Sequence, residues 1–578
     1  DLRSFERFGN RVRNTSIERL VRAQAPAVPA VLCEIVDGAI VLFVQGPAYL
    51  ESRIQSILQE GLPVWCTPQE VVMSEDLIES VRSYRAEHKN DGFNRFLRSH
   101  LPEFSYLNGH LSLIEQGGDS ITALRIVGKL RGRGFDVDLG ALLNAPSLSE
   151  WIGGIVNSEG AIQVTGHATE LTPIQQWFLQ HAEGNKNHYN QSILLELLVP
   201  GETQQLAEVL RTSLRQFQIL QKVYRNGWVE GMPPQVAVHS CTHEAEITAH
   251  CTEIQKAFDL ERGPVAGGAI FERNGQLFLF AAIHHFYCDG YSWRVFLDEL
   301  QATLSGQAGA HFGPEVFGKV HQRFLELAEA NQTESSSYYG TEITHPFKDW
   351  SRCSLDESTY LEWEWDAAAT SAFTQSSGFG AASNEKFLFL FLRAWAALKL
   401  PPTAVFFETH GRSYDGVSEL SDSLGWFTQF YPVFAHDWPA EDKLLESIQK
   451  AFEDLPHSGL TYMAQPEWQQ PPFPVLLNYL GNFDEDRGGI AAPSTIAQGP
   501  MSDGKNLTLS VVEVNAMIRG GRMTWMLRTH PDFDAEAFQL TFNRLFDEIS
   551  QNQNTSDYIS NDIDEADLDA IDELLGNL

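Results

Sequence analysis

Two histidines and an aspartate stand close together in HHFYCDG, residues 284–290, between the apolar run LFLFAAI and the helix-like stretch SWRVFLDEL. Imidazole and carboxylate are both zinc ligands. Adjacent strand residues point to opposite faces, however, so His284 and His285 cannot easily share a metal. Two other readings stand: a pair of buried structural histidines, or a general base at a strand end with a helix N-terminus nearby to favour developing negative charge. GGDSI, residues 117–121, delivers Ser120 to the first turn of an apolar-faced helix, where a serine can be a plain N-cap. Cys241, His243, His250 and Cys251 form a further cluster. Its spacing matches no standard zinc pattern, which favours a loop or helix face.

The elements that must position these groups fall into three blocks. Over residues 17–73, VPAVLCEIV and AIVLFVQ read as strands joined by Asp37-Gly38, a hairpin signal. LESRIQSILQEG follows as a helix that stops at Gly61-Leu62-Pro63, and VWCTPQEVVM returns as a strand. Residues 96–155 turn to short helices. In ITALRIVGKLRGRG, Ile121, Leu124, Val127 and Leu130 recur every three residues, and Gly132 and Gly134 end the helix. A small, polar stretch at 156–170 reads as a linker. From 171 onward, strand runs such as QSILLELLV, TAVFFETHG and PVLLNYLGNF alternate with helical runs such as NEKFLFLFLRAWAALKL. That mixed pattern is too long for one core, so two lobes are expected, dividing near 345–360.

Composition sets the outer bounds. The 578 residues are 43% hydrophobic and 20% charged, which supplies several cores and argues against disorder throughout. A net charge of −35 makes the chain a poor candidate for nucleic-acid backbones. No run of about 18 apolar residues predicts a membrane span. The N-terminus has no apolar signal core, and the chain reads as a piece of something longer. Six scattered cysteines without framework spacing point to a reducing, cytoplasmic setting.

LSLIEQGGDSITALRIVGKLR resembles the peptidyl carrier proteins of nonribosomal peptide synthetases, four-helix domains. The resemblance implies that Ser120 carries 4'-phosphopantetheine, a thiol arm that holds substrate as a thioester. HHxxxDG is similar to the motif of the condensation-domain superfamily, which has the two-lobed chloramphenicol-acetyltransferase-like fold. That similarity implies that the second histidine, His285, is the reactive one and that Asp289 is chiefly structural. LTPIQQWF, NHYNQS, DGYSWRVFLDEL, ETHGR followed by SLGWFTQFYPV, and NYLGNF resemble the motifs of an epimerization domain. Trp293, Arg412 and Asn478 belong to those motifs, and Tyr479 comes over from NYLG as a third polar group. Its alternative is an interfacial aromatic with its hydroxyl satisfied elsewhere. One departure is Thr409, where the family usually has glycine; a β-branched residue there restricts the backbone and could move Glu408.

The implied chemistry is inversion of the α-carbon of an aminoacyl or peptidyl thioester. Removing a proton from one face and returning one to the other requires two acid/base groups and something to stabilise the enolate oxygen. Glu408 and His285, each at a strand end of its own lobe, would face each other across a cleft. Glu408 as a mere partner of Arg412 is the competing reading. The expected multidomain α/β layout is an adenylation-subdomain remnant at 1–90 and a carrier protein at 91–157. A linker at 158–170 and epimerization lobes at 171–350 and 351–578 follow. The first unit lacks the Asn-Gly-Lys turn of adenylation domains, and no phosphate loop accompanies it. Expected partners are an upstream adenylation domain, a phosphopantetheinyl transferase and a downstream condensation domain. The acidic tail, with Leu568, Ile571, Leu574 and Leu578 near one helical face, reads by default as a solvated or self-packed end, with docking to the last of these as the alternative that its resemblance to linkers after such domains implies. The alternatives are an amide-forming condensation domain and a catalytically silent docking module.

Overall fold

The computed structural model describes residues 4–61 apart from 8–9, 26–27, 37–38 and 48–49, and parts of 68–157. It describes 170–551 apart from 199–200, 305, 307–312, 341–344, 348–349, 351, 376–382, 413–416, 435–442, 466–467, 469 and 483–490. The expected Asp37-Gly38 turn, the linker from 158 to 169 and the acidic tail lie outside the described residues.

The first unit runs α1 (Asn14–Gln24), β1 (Ala30–Val36), β2 (Ala39–Gln45), α2 (Glu51–Gly61) and β3 (Glu70–Ser74). β1 and β2 pair antiparallel, and β3 joins β2 in parallel. Val21, Leu42 and Ile54 close a separate small core. The second unit centres on α3 (Ser120–Gly132), with Ser120 as its first residue and Gly132 as its last. Val127 and Leu130 are buried on its inner face, as the spacing predicts. Ala123 and Ile126 join them, packed with Phe93, Leu97, Leu101, Leu142 and Trp151.

The large block opens with α4 (Pro173–His181), whose Thr172 and Gln175 form a reciprocal capping box. β4 (Asn190–Leu197), β5 (Gln235–Ser240), β6 (Ala266–Arg273) and β7 (Gln276–His284) follow, and then α5 (Ser292–Leu304). The second lobe contains β8 (Thr359–Trp365), α6 (Ser383–Ala397), β9 (Val405–Thr409) and β10 (Gln429–Val433). After these come β11 (Phe473–Asn482), β12 (Ala491–Pro493), β13 (Ser510–Arg519), β14 (Arg522–Thr529) and α7 (Ala535–Gln551).

Among the described residues the first-lobe sheet runs β5-β6-β7-β4-β12, and the second runs β8-β14-β13-β11-β9-β10. β6 and β7 read as unbroken apolar runs because both their faces are covered. Ile270, Leu279 and Ala281 enter the main core, while Ala269, Phe271, Phe278 and Phe280 enter a second cluster with Cys251 and Ile496. β12 corrects the expected lobe boundary. Ala491–Pro493 comes from the C-terminal part of the chain but pairs with β4, so the first lobe is not complete at residue 350. Between the lobes Trp177 meets Phe430 edge-on at 6.0 Å, and Phe178 meets Trp426 at 5.7 Å. The apolar core therefore runs through both.

Candidate active site

The two adjacent histidines take opposite roles, as strand alternation requires. His284 ends β7 and is fully buried. Its Nε2–H donates to the Lys186 carbonyl at 2.6 Å, and its Nδ1 accepts the Phe286 N–H at 3.1 Å. Burial pushes its pKa down to about 3, so this ring is neutral and fixed. His285 begins the turn after β7, where its backbone N–H donates to the Tyr189 carbonyl at 2.8 Å. Its ring stacks on Tyr189 (centroids 5.1 Å, planes 12° apart) and lies 4.4 Å from the Trp426 ring. Burial holds its pKa below the ordinary histidine value; its own carbonyl, Asp289 and the Cys288 carbonyl oppose that only in part.

Asp289 is occupied on every side. It accepts the Ser292 N–H at 2.9 Å, the Ser292 hydroxyl at 2.8 Å and the Phe427 N–H at 3.2 Å. It also pairs with Arg412 Nη2 at 2.8 Å. Arg412 lies between the rings of Tyr291 and Phe427, 4.4 and 4.6 Å from their centroids. Its Nη1 donates to the carbonyls of Leu420 and Ser423. Gly411 makes this turn possible: at φ +59°, a Cβ there would stand 1.7 Å from the Phe427 carbonyl oxygen. Asp289 is thus a structural anchor between the lobes, and Arg412 belongs to Asp289 rather than to Glu408.

Glu408 sits next to the end of β9 and is half-buried. Among the described residues its side chain makes no ion pair or hydrogen bond. Burial first, then the charges of Glu513 and Asp289, raise its pKa to about 8. The pairs Phe406–Leu476 and Leu476–Glu513 put Glu408, Asn478, Glu513 and Asn515 on one sheet face. Glu408 and Glu513 both raise the Tyr189 pKa, so the Glu408 charge reaches the ring stacked on His285. Thr409 pairs with Gln429 in the strand, an extended setting that suits a β-branched residue, and alternation turns it away from the Glu408 face.

The structure does not bring Tyr479 to this group. Its partner in β13 is Ala516, which in turn pairs with Trp525. Its ring lies 4.7 Å from Phe387 of α6, on the helix-covered face opposite Glu408. Tyr479 thus takes the interfacial-aromatic reading, because odd and even residues of β11 face opposite sides. Asn478, one residue earlier, lies on the Glu408 face. Trp293 donates its indole N–H to Gln191 Oε1 at 2.8 Å, and Gln191 Nε2 lies 3.1 Å from His285 Nε2.

Tyr189, Gln191, Trp426 and Glu513 belong to the site and were not singled out by sequence reasoning. NHYNQS placed Tyr189 and Gln191 two apart, on one face of a strand, and SLGWFTQFYPV contained Trp426. A lone acid in the apolar run SVVEV was the available signal for Glu513. An open cleft of about 360 Å³ reaches Tyr189, lined in part by Trp177, Phe178, Lys186, Arg352 and Leu509. Among the described residues no cluster of three or more His, Cys, Asp or Glu could hold a metal. His250 instead stacks on His239 at 3.8 Å, and Cys241 and Cys251 are buried, free thiols.

The carrier unit touches this block near the anchor. Arg125 pairs with Asp298 of α5 at 3.4 Å. A Cβ on Gly128 would come within 2.3 Å of Ser421 Cβ, so α3 lies flush on residues 418–422. Residues 105–155 match the phosphopantetheine attachment site family, and residues 166–339 match the condensation domain family. Surfactin synthase subunit 1 of Bacillus subtilis (strain 168) is 26% identical over 487 residues, 74% of this chain and 13% of that subunit.

The chain is similar to nonribosomal peptide synthetases. It spans a small part of the length of the synthetase subunits it matches. The large block shares its fold with the epimerization domain from the third module of tyrocidine synthetase B. That comparison has a TM-score of 0.56 and 17% identity, covering 68% of this chain and 99% of that one. The condensation domain of the monacolin K polyketide synthase matches with a TM-score of 0.50 and 15% identity, covering 69% and 99%. The chain thus has a condensation-type domain, an enzyme fold, behind a phosphopantetheine attachment site. A phosphodiester needs a hydroxyl, and Ser120 at the first residue of α3 fits the attachment of 4'-phosphopantetheine. Among the described residues no helix is long and apolar enough to cross a membrane.

Proposed function

We propose that residues 171–551 invert the α-carbon of an L-aminoacyl or peptidyl thioester held by the chain's own carrier at Ser120. The observation that carries this reading is Glu408: a carboxyl without a partner among the described residues, with a raised pKa, near enough to raise the pKa of Tyr189, the ring stacked on His285. Amide formation has no need of a second acid/base group there. Inversion has, because the proton removed from one face must be replaced from the other.

Near neutral pH the lowered His285 and raised Glu408 leave a neutral imidazole and a protonated carboxyl. His285 takes the α-proton with the C–H electron pair moving onto the thioester oxygen, and Glu408 returns a proton to carbon from the opposite side. The reverse direction uses the imidazolium and carboxylate so formed. Asn478, on the Glu408 face, is the candidate donor to the enolate oxygen, replacing Tyr479 in that role. The pantetheine arm supplies the thioester that makes the α-proton acidic. Contact between α3 and residues 418–422 supports delivery by the adjoining carrier. A phosphopantetheinyl transferase, an upstream adenylation domain and a downstream condensation domain complete the proposed setting.

Loading an L-amino acid onto Ser120 and following its chirality tests the reading. A drift toward a D/L mixture supports it. Unchanged chirality, with amide formation when an acceptor thioester is supplied, would identify a condensation domain. Neither reaction would leave a docking module.

A further inference from the structure

The Gln191 side chain lies between two ring nitrogens, and its orientation has one solution. Indole Nε1–H can only donate, so the Gln191 atom 2.8 Å from Trp293 must be the oxygen. The Cys288 thiol points at the same oxygen from 3.7 Å. The amide nitrogen therefore faces His285 Nε2 at 3.1 Å. An amide nitrogen has hydrogens to give and no lone pair to accept with, so the contact holds only if His285 Nε2 carries no proton. β4 fixes this geometry: Gln191 pairs with Ile283, two residues before His285, and Tyr189 just before β4 stacks on the ring.

We propose that Gln191, oriented by Trp293, is a positioning residue that sets the tautomer of His285 and keeps Nε2 a free base before substrate arrives. Nδ1 then carries the ring proton of the neutral form. Nδ1 is buried without a hydrogen bond of ordinary geometry among the described residues, while the nearby carbonyls of His285 and Cys288 favour a proton on the ring. The other groups facing the ring are Asp289 just before α5, Cys288 and His284 on its own turn, Tyr189 just before β4, and Trp426 from the second lobe. The groups that favour the charged ring are the carbonyls of His285 and Cys288 and the Asp289 carboxylate, which is committed to Arg412; burial outweighs them.

The mechanistic consequence rests on the epimerase reading above. The Cα–H of the substrate takes the place of the amide at Nε2. The C–H bond breaks, an Nε2–H bond forms, and the electron pair moves onto the thioester oxygen. The new Nε2–H cannot face the Gln191 N–H. The amide could turn its oxygen to it only by presenting NH2 to the indole, which loses the Trp293 bond. Gln191 thus favours release of the proton and return of the base to its starting form.

The test uses the full chain labelled with 15N-histidine, with His285 assigned by its loss in His285→Gln. Long-range 1H–15N correlation should give His285 with Nδ1 protonated and Nε2 bare, titrating below 6.5. Gln191→Glu offers acceptors to both Trp293 and His285. It should put a proton on Nε2 and raise the His285 pKa by about one pH unit or more. The acid limb of the activity profile should move with it. Gln191→Met and Trp293→Phe, which loosen the constraint, should each let the Nε2–H tautomer appear. A proton on Nε2 in the unaltered chain would overturn the inference. So would a folded Gln191→Glu protein with an unmoved titration. The tautomer is read without substrate, so the expected spectra in a chain that inverts nothing would refute the epimerase reading and leave the Gln191 assignment standing.

Discussion

Arg412 and Asp289 hold the two lobes in register: Nη2 and Oδ1 stand 2.8 Å apart, with the two side chains 0% and 4% exposed. The guanidinium also binds the carbonyls of Leu420, Ser423 and Gly425, so one side chain ties residues 420–425 to the start of α5. His285 precedes Asp289 by four residues, and Trp426, which packs on the His285 ring, follows Gly425. The anchor therefore positions both walls around the base.

Truncating Arg412 or Asp289 to alanine should each cost about 3–5 kcal/mol, because the partner is left charged and buried. The double alanine variant should cost well under the sum, since the second truncation removes a charge already unpaired. Urea unfolding of the three variants measures this; simple additivity would mean that the pair is not coupled.

The pH profile of inversion should be bell-shaped. The singly protonated pair is the active form. It gains a second proton below the lowered His285 pKa, and it loses its proton as pH rises through about 8 at Glu408. The acid limb should thus fall below 6.5, and in Glu408→Gln the deuterium exchange left to His285 should keep that limb and lose the one near 8. A limb near 8 persisting in that variant would assign it to another group.

The raised Glu408 pKa also bears on stability. Its unfolded value is near 4.5 and its folded value about 8, so the contribution of Glu408 to stability is fullest below 4.5 and is lost as pH climbs through 8. Glu408→Gln should therefore melt higher than the unaltered chain at pH 8 and close to it at pH 4.5. Equal melting differences at both values would mean that Glu408 is solvated as a carboxylate.

Gly128→Ala should favour α3 as a helix by about 1 kcal/mol yet disturb its seat on Ser421. Inversion of carrier-bound substrate should fall about tenfold or more, inversion of a small soluble thioester should not change, and Ser421→Gly should restore the first. Equal loss on both substrates would place the effect in the active site rather than in docking.

Much of this site was legible in the sequence because its motifs are local. HHFYCDG specified a strand end, a turn and a helix start; alternation put His284 and His285 on opposite faces, and the family resemblance singled out His285. What stayed hidden depends on pairing between distant segments. Tyr479 was misplaced because NYLG alone does not say which of two adjacent residues shares a face with Glu408; the register of β11 against β9 and β13 decides it. β12 was missed because three residues from the second lobe complete the first sheet through contacts with no local signal. The same holds for Gln191, whose role depends on an indole 102 residues away.

The central claim is that His285 and Glu408 serve opposite faces of one α-carbon. Each enantiomer loaded on Ser120 should be incubated in heavy water with His285→Ala and with Glu408→Gln, following chirality and deuterium content together. The account predicts that neither variant inverts, and that one washes deuterium into a single enantiomer with retention while the other shows the opposite preference or nothing. If both folded variants still invert at near the unaltered rate, the two-base account is contradicted and the proton transfers occur elsewhere.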